Sequence, residues 1–236
     1  MNEDTIRKNL DAVGEIIARA ARTAGRNPDE ITLIAVTKTF GIDVVRAAVA
    51  AGARDLGENY IQEAREKITT LTEPAGPRPR WHFIGGLQKN KAKYAVRLFD
   101  LIHSVDSVEL AAELDKRAGL EGKRQDVLIQ VNISEEDQKS GVSADGIIQL
   151  ARSVSVFENL SVRGLMGMPP FGLDPEISRP YFVTLRGLSE RIEEECIPGI
   201  GMEELSMGMS NDYAVAVEEG ATMVRVGTAI FGSRFS

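Results

Sequence analysis

Residues 31–52, ITLIAVTKTFGIDVVRAAVAAG, join a short run of apolar and β-branched side chains to an amphipathic segment with helical spacing. The first part predicts a buried strand and the second a helix, because strands buried on both faces read as nearly continuous apolar runs. The same unit recurs along the chain, and we count eight repeats. The predicted strands cover residues 31–36, 53–57, 81–85, 101–105, 126–132, 162–167, 204–208 and 222–227.

Eight such repeats predict an α/β fold of parallel strands alternating with helices. The chain has 236 residues, close to the roughly 250 typical of a (β/α)8 TIM barrel. An open dinucleotide-binding sheet is disfavoured, because the turn TKTFGID after the first strand lacks the G-x-G-x-x-G pattern. An extra N-terminal helix is predicted over residues 2–24. Residues 72–80 and 168–180 are predicted to be loops at one end of the barrel, and residues 1–236 to form a single domain.

The composition argues against several classes of protein, among them nucleic-acid-binding and membrane proteins. The chain is 43% hydrophobic and 27% charged, with a net charge of -7 and a pI near 5.1, which argues against nucleic acid as a partner. A single cysteine, Cys196, excludes an intramolecular disulfide and a cysteine-based zinc cluster, and is typical of a cytoplasmic protein. No run of about 18 apolar residues occurs, so neither a membrane span nor secretion is predicted.

Lys38 closes the seven-residue stretch ITLIAVT, residues 31–37, at the end of the first predicted strand. A lysine in water is protonated and not nucleophilic, whereas desolvation at the end of a buried strand can free such an amine to attack an aldehyde. The alternative interpretation is a side chain that simply reaches water from the strand end. The barrel favours the first interpretation, because active sites of such barrels form at the carboxyl ends of the strands.

The other strand ends carry groups suited to an anion. Glycine, serine and threonine dominate the ends of the last two strands, where backbone amides and hydroxyls can surround a phosphate. Arg225 lies two residues before Gly227 and shares its parity. The strand-end residues are Lys38, Asn59, Met168, Ser206, Ser210, Gly227 and Thr228. Together they indicate a phosphorylated aldehyde, which could be a sugar phosphate in a Schiff-base aldolase or pyridoxal 5'-phosphate. No metal site is predicted.

Seven stretches resemble one known family in the same order. The chain is similar throughout to the YggS/PROSC family of pyridoxal 5'-phosphate homeostasis proteins. The stretches are IAVTKT, LGENYIQE, WHFIGGLQKNK, QVNISEEDQKSG, VRGLMGM, LSMGMSND and MVRVGTAIFG. The resemblance implies a barrel like the N-terminal domain of alanine racemase.

The resemblance also implies roles for individual residues. Lys38 would form the Schiff base with pyridoxal 5'-phosphate, and Arg225 would face the pyridine nitrogen. Ser210, with Ser206 beside it, and the turn at Gly227 and Thr228 would hold the phosphate. Asn59 would lie near the ring, and Met168 is counted with these cofactor-binding residues.

The implied function is a carrier or buffer of the cofactor with no catalytic residues. A cationic arginine at the pyridine nitrogen weakens the electron sink that carbanion chemistry uses. The resemblance to alanine racemase implies that racemisation also needs a tyrosine from a C-terminal domain and a partner subunit, and the chain ends at Ser236. We therefore expect a monomer that passes the cofactor to pyridoxal phosphate-dependent apoenzymes. A slow amino-acid racemase and a Schiff-base aldolase remain the alternatives.

The remaining notable residues lie outside the proposed cofactor contacts or at their edge. Lys139 matches a family lysine and would be a second contact for the cofactor, or else a solvated loop lysine. The family's second lysine, two positions after Lys38, is Phe40 here, so a transfer role at that position is excluded.

The two histidines, His82 and His103, are expected to be hydrogen-bonded core residues. Packing roles are predicted for Trp81 and Cys196, and solvated surfaces for the basic residues of 88–93 and the acidic residues of 190–195.

Overall fold

The computed structural model describes residues 1–71, 78–134, 136, 140–170, 172 and 174–232. Across these residues, eight parallel strands close into a barrel in which each strand pairs with the next along the chain and the last pairs with the first. The strands are β1 (Thr32–Val36), β2 (Asp55–Glu58), β3 (Arg80–Phe83), β4 (Leu101–Val105), β5 (Gln125–Val131), β6 (Leu160–Gly167), β7 (Ile200–Met209) and β8 (Met223–Val226).

Helices surround the barrel. Each strand is followed by at least one helix, as right-handed parallel connections require. Short 3-10 turns stand at residues 28–30, 89–91, 144–146 and 175–178. The α-helices are α1 (Glu3–Thr23), α2 (Ile42–Ala50), α3 (Ile61–Thr70), α4 (Ala92–Leu98), α5 (Val108–Leu120), α6 (Ile147–Val154), α7 (Arg179–Glu194), α8 (Tyr213–Glu218) and α9 (Thr228–Phe231).

The additional helix α1 begins at a side-chain cap. The Asn2 carboxamide oxygen accepts a hydrogen bond from the backbone amide of Thr5 at 2.9 Å, which satisfies one of the free amides of the first turn. Ile6, Val13 and Ile17 are buried on its apolar face, and α1 packs against α8 and α9. The predicted barrel and N-terminal helix are confirmed.

The hydrophobic core has two layers. A large cluster lies between the strands and the surrounding helices, and a small one fills the interior of the barrel. The inner cluster consists of Ile34, Leu101, Leu128, Met166 and Met223. Met168 packs on this inner cluster from the carboxyl end of the strands, so the inner cluster forms the floor of whatever space opens above it.

Three predictions about peripheral features can be compared with the structure. Of the two predicted loops, residues 72–77 of the first and residues 171 and 173 of the second lie outside the described residues. Residues 78–79 lead into β3 at the amino end of the barrel, whereas residues 168–170 follow β6 at the carboxyl end. For the described parts, the prediction that both loops lie at one end is wrong. Trp81 is buried as predicted, but Cys196 is exposed. Cys196 has a φ of 47° in the turn after α7, where a left-handed residue ends a helix and its side chain points outward.

The described surface agrees with the remaining predictions. The histidines are fully buried, and the acidic residues of 190–195 are exposed. In the basic run, the lysines at 89 and 93 are exposed and Lys91 is half-buried. Within the described ranges, no helix combines the length and the apolar character needed to cross a membrane.

Candidate functional site

A cavity of about 230 Å3 opens at the carboxyl end of the barrel strands. The structure brings seven of the eight predicted site residues to its wall, and Ser206 lies outside it. The predicted residues that line the cavity are Lys38, Asn59, Met168, Ser210, Arg225, Gly227 and Thr228. Since these residues come from five different strand ends, the closed barrel is what assembles them.

Lys38 is half-buried at the edge of this cavity. It continues the alternation of Ile34 and Val36, whose side chains point into the barrel, so the lysine projects over the inner cluster. The peptide groups on either side of it are both held by side chains of α3. The Lys67 ammonium donates to the carbonyl oxygen of Thr37 at 2.7 Å, and the amide of Thr39 donates to the Glu63 carboxylate.

These contacts belong to a buried ion cluster behind Lys38. Lys67 is 4% exposed and donates to Glu58 at 2.7 Å and to Glu63. Burial raises the pKa of Glu58, and the hydrogen bonds from Lys67 and Thr37 oppose that rise. The second carboxylate oxygen of Glu58 has no hydrogen-bond partner among the described residues. The cluster is costly to bury, and it fixes the backbone that carries Lys38.

Sequence reasoning missed this cluster. Glu63 and Lys67 stand at i and i+4 in α3 and look like an exposed helical pair. The available signal was spacing, because Lys67 falls three residues after the buried Ala64 on the apolar face of the helix. Thr39, next to Lys38, has a φ of 69°, an uncommon conformation for a residue other than glycine.

Asn59 forms a second wall of the cavity. Its backbone lies so close to Gly85 that a Cβ there would be 2.3 Å from the carbonyl oxygen of Asn59. Only glycine allows this approach. The side-chain oxygen of Asn59 is buried and has no hydrogen-bond partner within the part of the chain that the structure describes. A buried acceptor that lines a cavity and lacks a donor fits a ligand that supplies one.

The side of the cavity formed by β7 and β8 carries hydroxyl and amide groups. The Ser210 hydroxyl oxygen accepts a hydrogen bond from the amide of Gly227 at 3.2 Å, and Thr228 is adjacent and exposed. Asp212 shapes this turn: one carboxylate oxygen accepts from the amide of Met209 at 2.7 Å and the other from Ser178 at 2.9 Å. The turn is therefore tied to the segment before α7, and its hydroxyl and amide groups can surround an anion.

Arg225 lies deeper, at 4% exposure. Its guanidinium donates to the Ser206 hydroxyl at 2.6 Å and to the carbonyl oxygen of Gly167 at 3.1 Å. Desolvation lowers the pKa of Arg225 to about 10, and the negative charge of Asp212 opposes that change. The guanidinium is still cationic at neutral pH, so it adds a positive charge to the cavity wall that also contains Ser210 and Thr228.

Ser206 is fully buried under Arg225 and does not reach the cavity. In a regular strand, Ser206 and Ser210 would point the same way. However, β7 and β8 pair as Ser206 with Met223 and Met209 with Arg225, which is an irregular register. This bulge separates the two serines, so the structure places Ser206 next to Arg225 instead of next to Ser210.

Two lysine-related expectations remain. Lys139 lies outside the described residues. Phe40, at the position where the resemblance implied a second lysine in the family, packs against Phe231 with ring centroids 5.2 Å apart. At this position the protein has an aromatic contact in place of a transfer lysine, and the contact joins the loop after β1 to α9.

Known proteins resemble the chain over nearly its whole length. Residues 8–235 match the family described as alanine racemase, N-terminal domain. The pyridoxal phosphate homeostasis protein of Escherichia coli is 40% identical over 233 residues, covering 97% of each chain. The protein of that name from Aquifex aeolicus is 41% identical over 227 residues, covering 96% of this chain and 97% of the relative.

Solved structures with the same fold are also known. PipY of Synechococcus elongatus, determined with PLP bound, superposes with a TM-score of 0.80 at 38% identity, covering 92% of this chain and 100% of PipY. An alanine racemase from Clostridium difficile superposes with a TM-score of 0.75 at 15% identity over 58% of its own chain, which shows a shared fold. The resemblance identified from the sequence is confirmed: the chain belongs to the alanine racemase N-terminal domain family and, within it, to the pyridoxal phosphate homeostasis proteins.

Proposed function

We propose that the protein binds pyridoxal 5'-phosphate, with Lys38 as the attachment point, and takes part in the homeostasis of this cofactor. The observation that carries the proposal is the placement of Lys38 and Arg225 in one cavity with Ser210, Gly227 and Thr228. Relatives about 40% identical over nearly the whole chain have the name pyridoxal phosphate homeostasis protein, and PipY was determined with PLP bound.

The donor set fits the three polar parts of this cofactor. The hydroxyls of Ser210 and Thr228 suit the phosphate, and Arg225 suits the ring nitrogen as a hydrogen-bond donor. The unpartnered oxygen of Asn59 suits a donor on the ring. When bound, pyridoxal phosphate supplies an aldehyde whose carbon can bond to the amine nitrogen of Lys38, with loss of one water. Arg225 disfavours protonation of the ring nitrogen because it is already cationic.

We infer a carrier or buffer without robust turnover. Among the described residues that line the cavity, Lys38 is the one lysine, and no tyrosine, cysteine or histidine is present. The one carboxylate in this lining, Asp212, already accepts hydrogen bonds from the Met209 amide and the Ser178 hydroxyl. A racemase needs a second acid or base on the opposite face of the ring. Arg225 also weakens the electron withdrawal that carbanion chemistry requires. Both features support holding the cofactor over transforming an amino acid.

The finer parts of the proposal concern location and partners. We assign residues 1–236 to one cofactor-binding domain that works as a monomer. We place it in the cytoplasm, because a single cysteine is typical of a reducing compartment. Pyridoxal phosphate-dependent apoenzymes are the proposed recipients. Incubating the loaded protein with such an apoenzyme, with free cofactor trapped, tests transfer. Activation no faster than the measured release into solution would contradict direct delivery.

The central experiment follows the visible absorption of purified protein as pyridoxal 5'-phosphate is added, followed by borohydride reduction and peptide mapping. We expect a new band and a reduced adduct on Lys38, both lost in Lys38→Ala. Lys93→Ala is the matched control, since Lys93 is exposed on α4 and should leave both signals unchanged. A wild-type protein with no band and no adduct would refute the proposal.

Two other activities are tested separately. Steady-state assays with alanine and serine examine racemisation. A saturable rate well above that of free cofactor, lost in Lys38→Ala, would replace the carrier function with a catalytic one. For the aldolase alternative, borohydride in the presence of sugar phosphates should trap no adduct on Lys38. A trapped sugar phosphate without a visible band would favour the aldolase.

A further inference from the structure

A line of hydrogen-bonded polar side chains crosses the interior of the barrel from its amino end to the cavity. Asp55 lies 2.9 Å from Nε2 of His82, and Nδ1 of His82 lies 3.0 Å from Nε2 of His103. Nδ1 of His103 lies 2.9 Å from the hydroxyl oxygen of Ser206, which lies 2.6 Å from the guanidinium of Arg225. The line connects β2, β3, β4, β7 and β8.

Asp55 and Arg225, at the two ends of this line, restrict the direction of the hydrogen bonds between them. A guanidinium can only donate, so the Ser206 oxygen accepts from Arg225 and its hydroxyl proton is free to point to His103. A serine oxygen can accept twice, so the charge of the two rings decides the remaining directions. At the other end, an ionised Asp55 can only accept, so Nε2 of His82 donates to it. If both rings are neutral, Nδ1 of His82 accepts from Nε2 of His103, and Nδ1 of His103 accepts from the Ser206 hydroxyl.

With both rings neutral, all four hydrogen bonds run one way, from the Arg225 cation to the Asp55 anion, and both histidines carry their proton on Nε2. Both rings are fully buried, where a charge is costly. The environment supports a neutral His103: burial lowers its pKa well below the usual value, and the positive charges of Arg225 and Arg80 lower it further. At the far end, Asp55 is 15% exposed and pairs loosely with Arg80 at 3.8 Å.

The cost of burial argues that the line has a purpose beyond filling space. His82, His103 and Ser206 are fully buried, where apolar side chains would pack without needing polar partners. What the line adds is a fixed acceptor for one guanidinium nitrogen of Arg225. The second acceptor is the carbonyl oxygen of Gly167. With two of its nitrogens anchored, the guanidinium cannot rotate, and its remaining donor capacity has a fixed orientation.

We propose that Ser206, His103, His82 and Asp55 are positioning residues, which hold the guanidinium of Arg225 in a fixed orientation at the cavity through a one-directional hydrogen-bond chain. The consequence for a bound ring nitrogen rests on the proposed function. The arrangement of protons within the chain does not depend on it, since every member belongs to the protein.

The first test reads the protons directly. The chain contains two histidines, so the full-length protein labelled with 15N-histidine shows two imidazole rings in a long-range 1H-15N correlation spectrum. At pH 7.5 we expect both rings to be neutral with the proton on Nε2, before and after loading with pyridoxal 5'-phosphate. A cationic ring, or a ring with its proton on Nδ1, would overturn the one-directional chain.

The second test removes the bridging hydroxyl. Ser206→Ala should weaken retention of pyridoxal 5'-phosphate about tenfold, the order expected when a buried hydrogen bond to a charged group is lost, and should displace the visible absorption maximum of the bound cofactor. Ser104→Ala is the matched control: Ser104 is buried on β4 next to His103, and its hydroxyl has no partner among the described residues. Equal retention and equal spectra in the two variants would overturn the positioning role.

The two proposals fail in different ways. If wild-type protein forms no adduct on Lys38 while both histidines carry the Nε2 proton, the proposed function fails and the hydrogen-bond chain stands. If the adduct forms on Lys38 but a histidine carries its proton on Nδ1, the positioning chain fails and cofactor binding stands. A Ser206→Ala protein that does not fold leaves the wild-type proton positions to decide.

Discussion

The ammonium of Lys67 donates a hydrogen bond to the carbonyl oxygen of Thr37 at 2.7 Å, one residue before the lysine proposed to bond the cofactor. The same ammonium contacts Glu58 and Glu63, and Glu63 accepts from the amide of Thr39 on the other side of Lys38. A buried ion cluster on α3 and β2 thus fixes both peptide groups that flank the reactive amine. Reactivity at Lys38 should therefore depend on a residue that does not line the cavity.

Replacing Lys67 with methionine tests this dependence. Lys67→Met leaves the Glu58 carboxylate buried without its cation, so we expect a loss of about 3 kcal/mol in the free energy of unfolding. We also expect adduct formation at Lys38 to be slower, measured by the growth of the visible band. Lys123→Met is the control, since Lys123 also donates to a backbone carbonyl, that of Val96, away from the cavity. Equal adduct rates in the two variants would contradict the clamp.

Removal of the Ser210 hydroxyl should weaken cofactor binding. Because this hydroxyl lies next to the amide of Gly227 at the proposed phosphate position, Ser210→Ala should lose about 1 to 3 kcal/mol of binding free energy. Equilibrium dialysis against pyridoxal 5'-phosphate measures it, and the same titration with pyridoxal, which lacks the phosphate, should show no difference between variant and wild type. If Ser210→Ala retained pyridoxal 5'-phosphate as well as the wild type does, the phosphate would have to bind at another position.

Reversing the charge at Arg225 should change the electronic state of the bound cofactor. In Arg225→Glu a carboxylate faces the ring nitrogen and favours its protonation, so the absorption spectrum and its pH response should shift. The variant also leaves Ser206 without its donor, so folding is checked by circular dichroism first. A folded, loaded variant with an unchanged spectrum would show that Arg225 does not contact the ring nitrogen.

Stability should fall on mild acidification because of His103. Burial lowers the pKa of His103 well below its usual value, so below about pH 6.5 the unfolded chain binds a proton that the folded chain does not. The free energy of unfolding therefore decreases by up to about 1.4 kcal/mol for each unit by which the pH falls. Urea unfolding at pH 7.5 and 5.5 measures the slope. The slope should be shallower in His103→Asn, and an equal slope would exclude His103 as its source.

Much of the barrel could be predicted from local patterns. Apolar runs of strand length alternate with helical spacing through the whole chain, and both periods are local properties that need no knowledge of distant residues. The strand ends then indicate the site, because all parallel strands in a closed barrel deliver their carboxyl ends to one face. Lys38, Arg225 and Ser210 were found this way, and the cavity contains all three.

Predictions that depended on regular alternation were less secure. Ser206 in β7 and Ser210 just after it share parity along the chain, but the irregular register between β7 and β8 places Ser206 under Arg225 and Ser210 at the cavity. A bulge adds a residue without any strong mark in the sequence. Cys196 was misjudged for a related reason, because the direction of a side chain in a turn depends on one left-handed backbone conformation.

The sequence by itself determined the eightfold repeat, the parallel barrel and the residues that stand at its carboxyl edge, since these follow from short-range periodicity. Only the tertiary structure decided which polar side chains are buried and which atoms they meet. Lys67 reads as a surface residue until β1 and β2 pack against α3. His103 and Ser206 are 103 residues apart, and closure of the barrel brings them within hydrogen-bonding distance because only there can buried polar groups find partners.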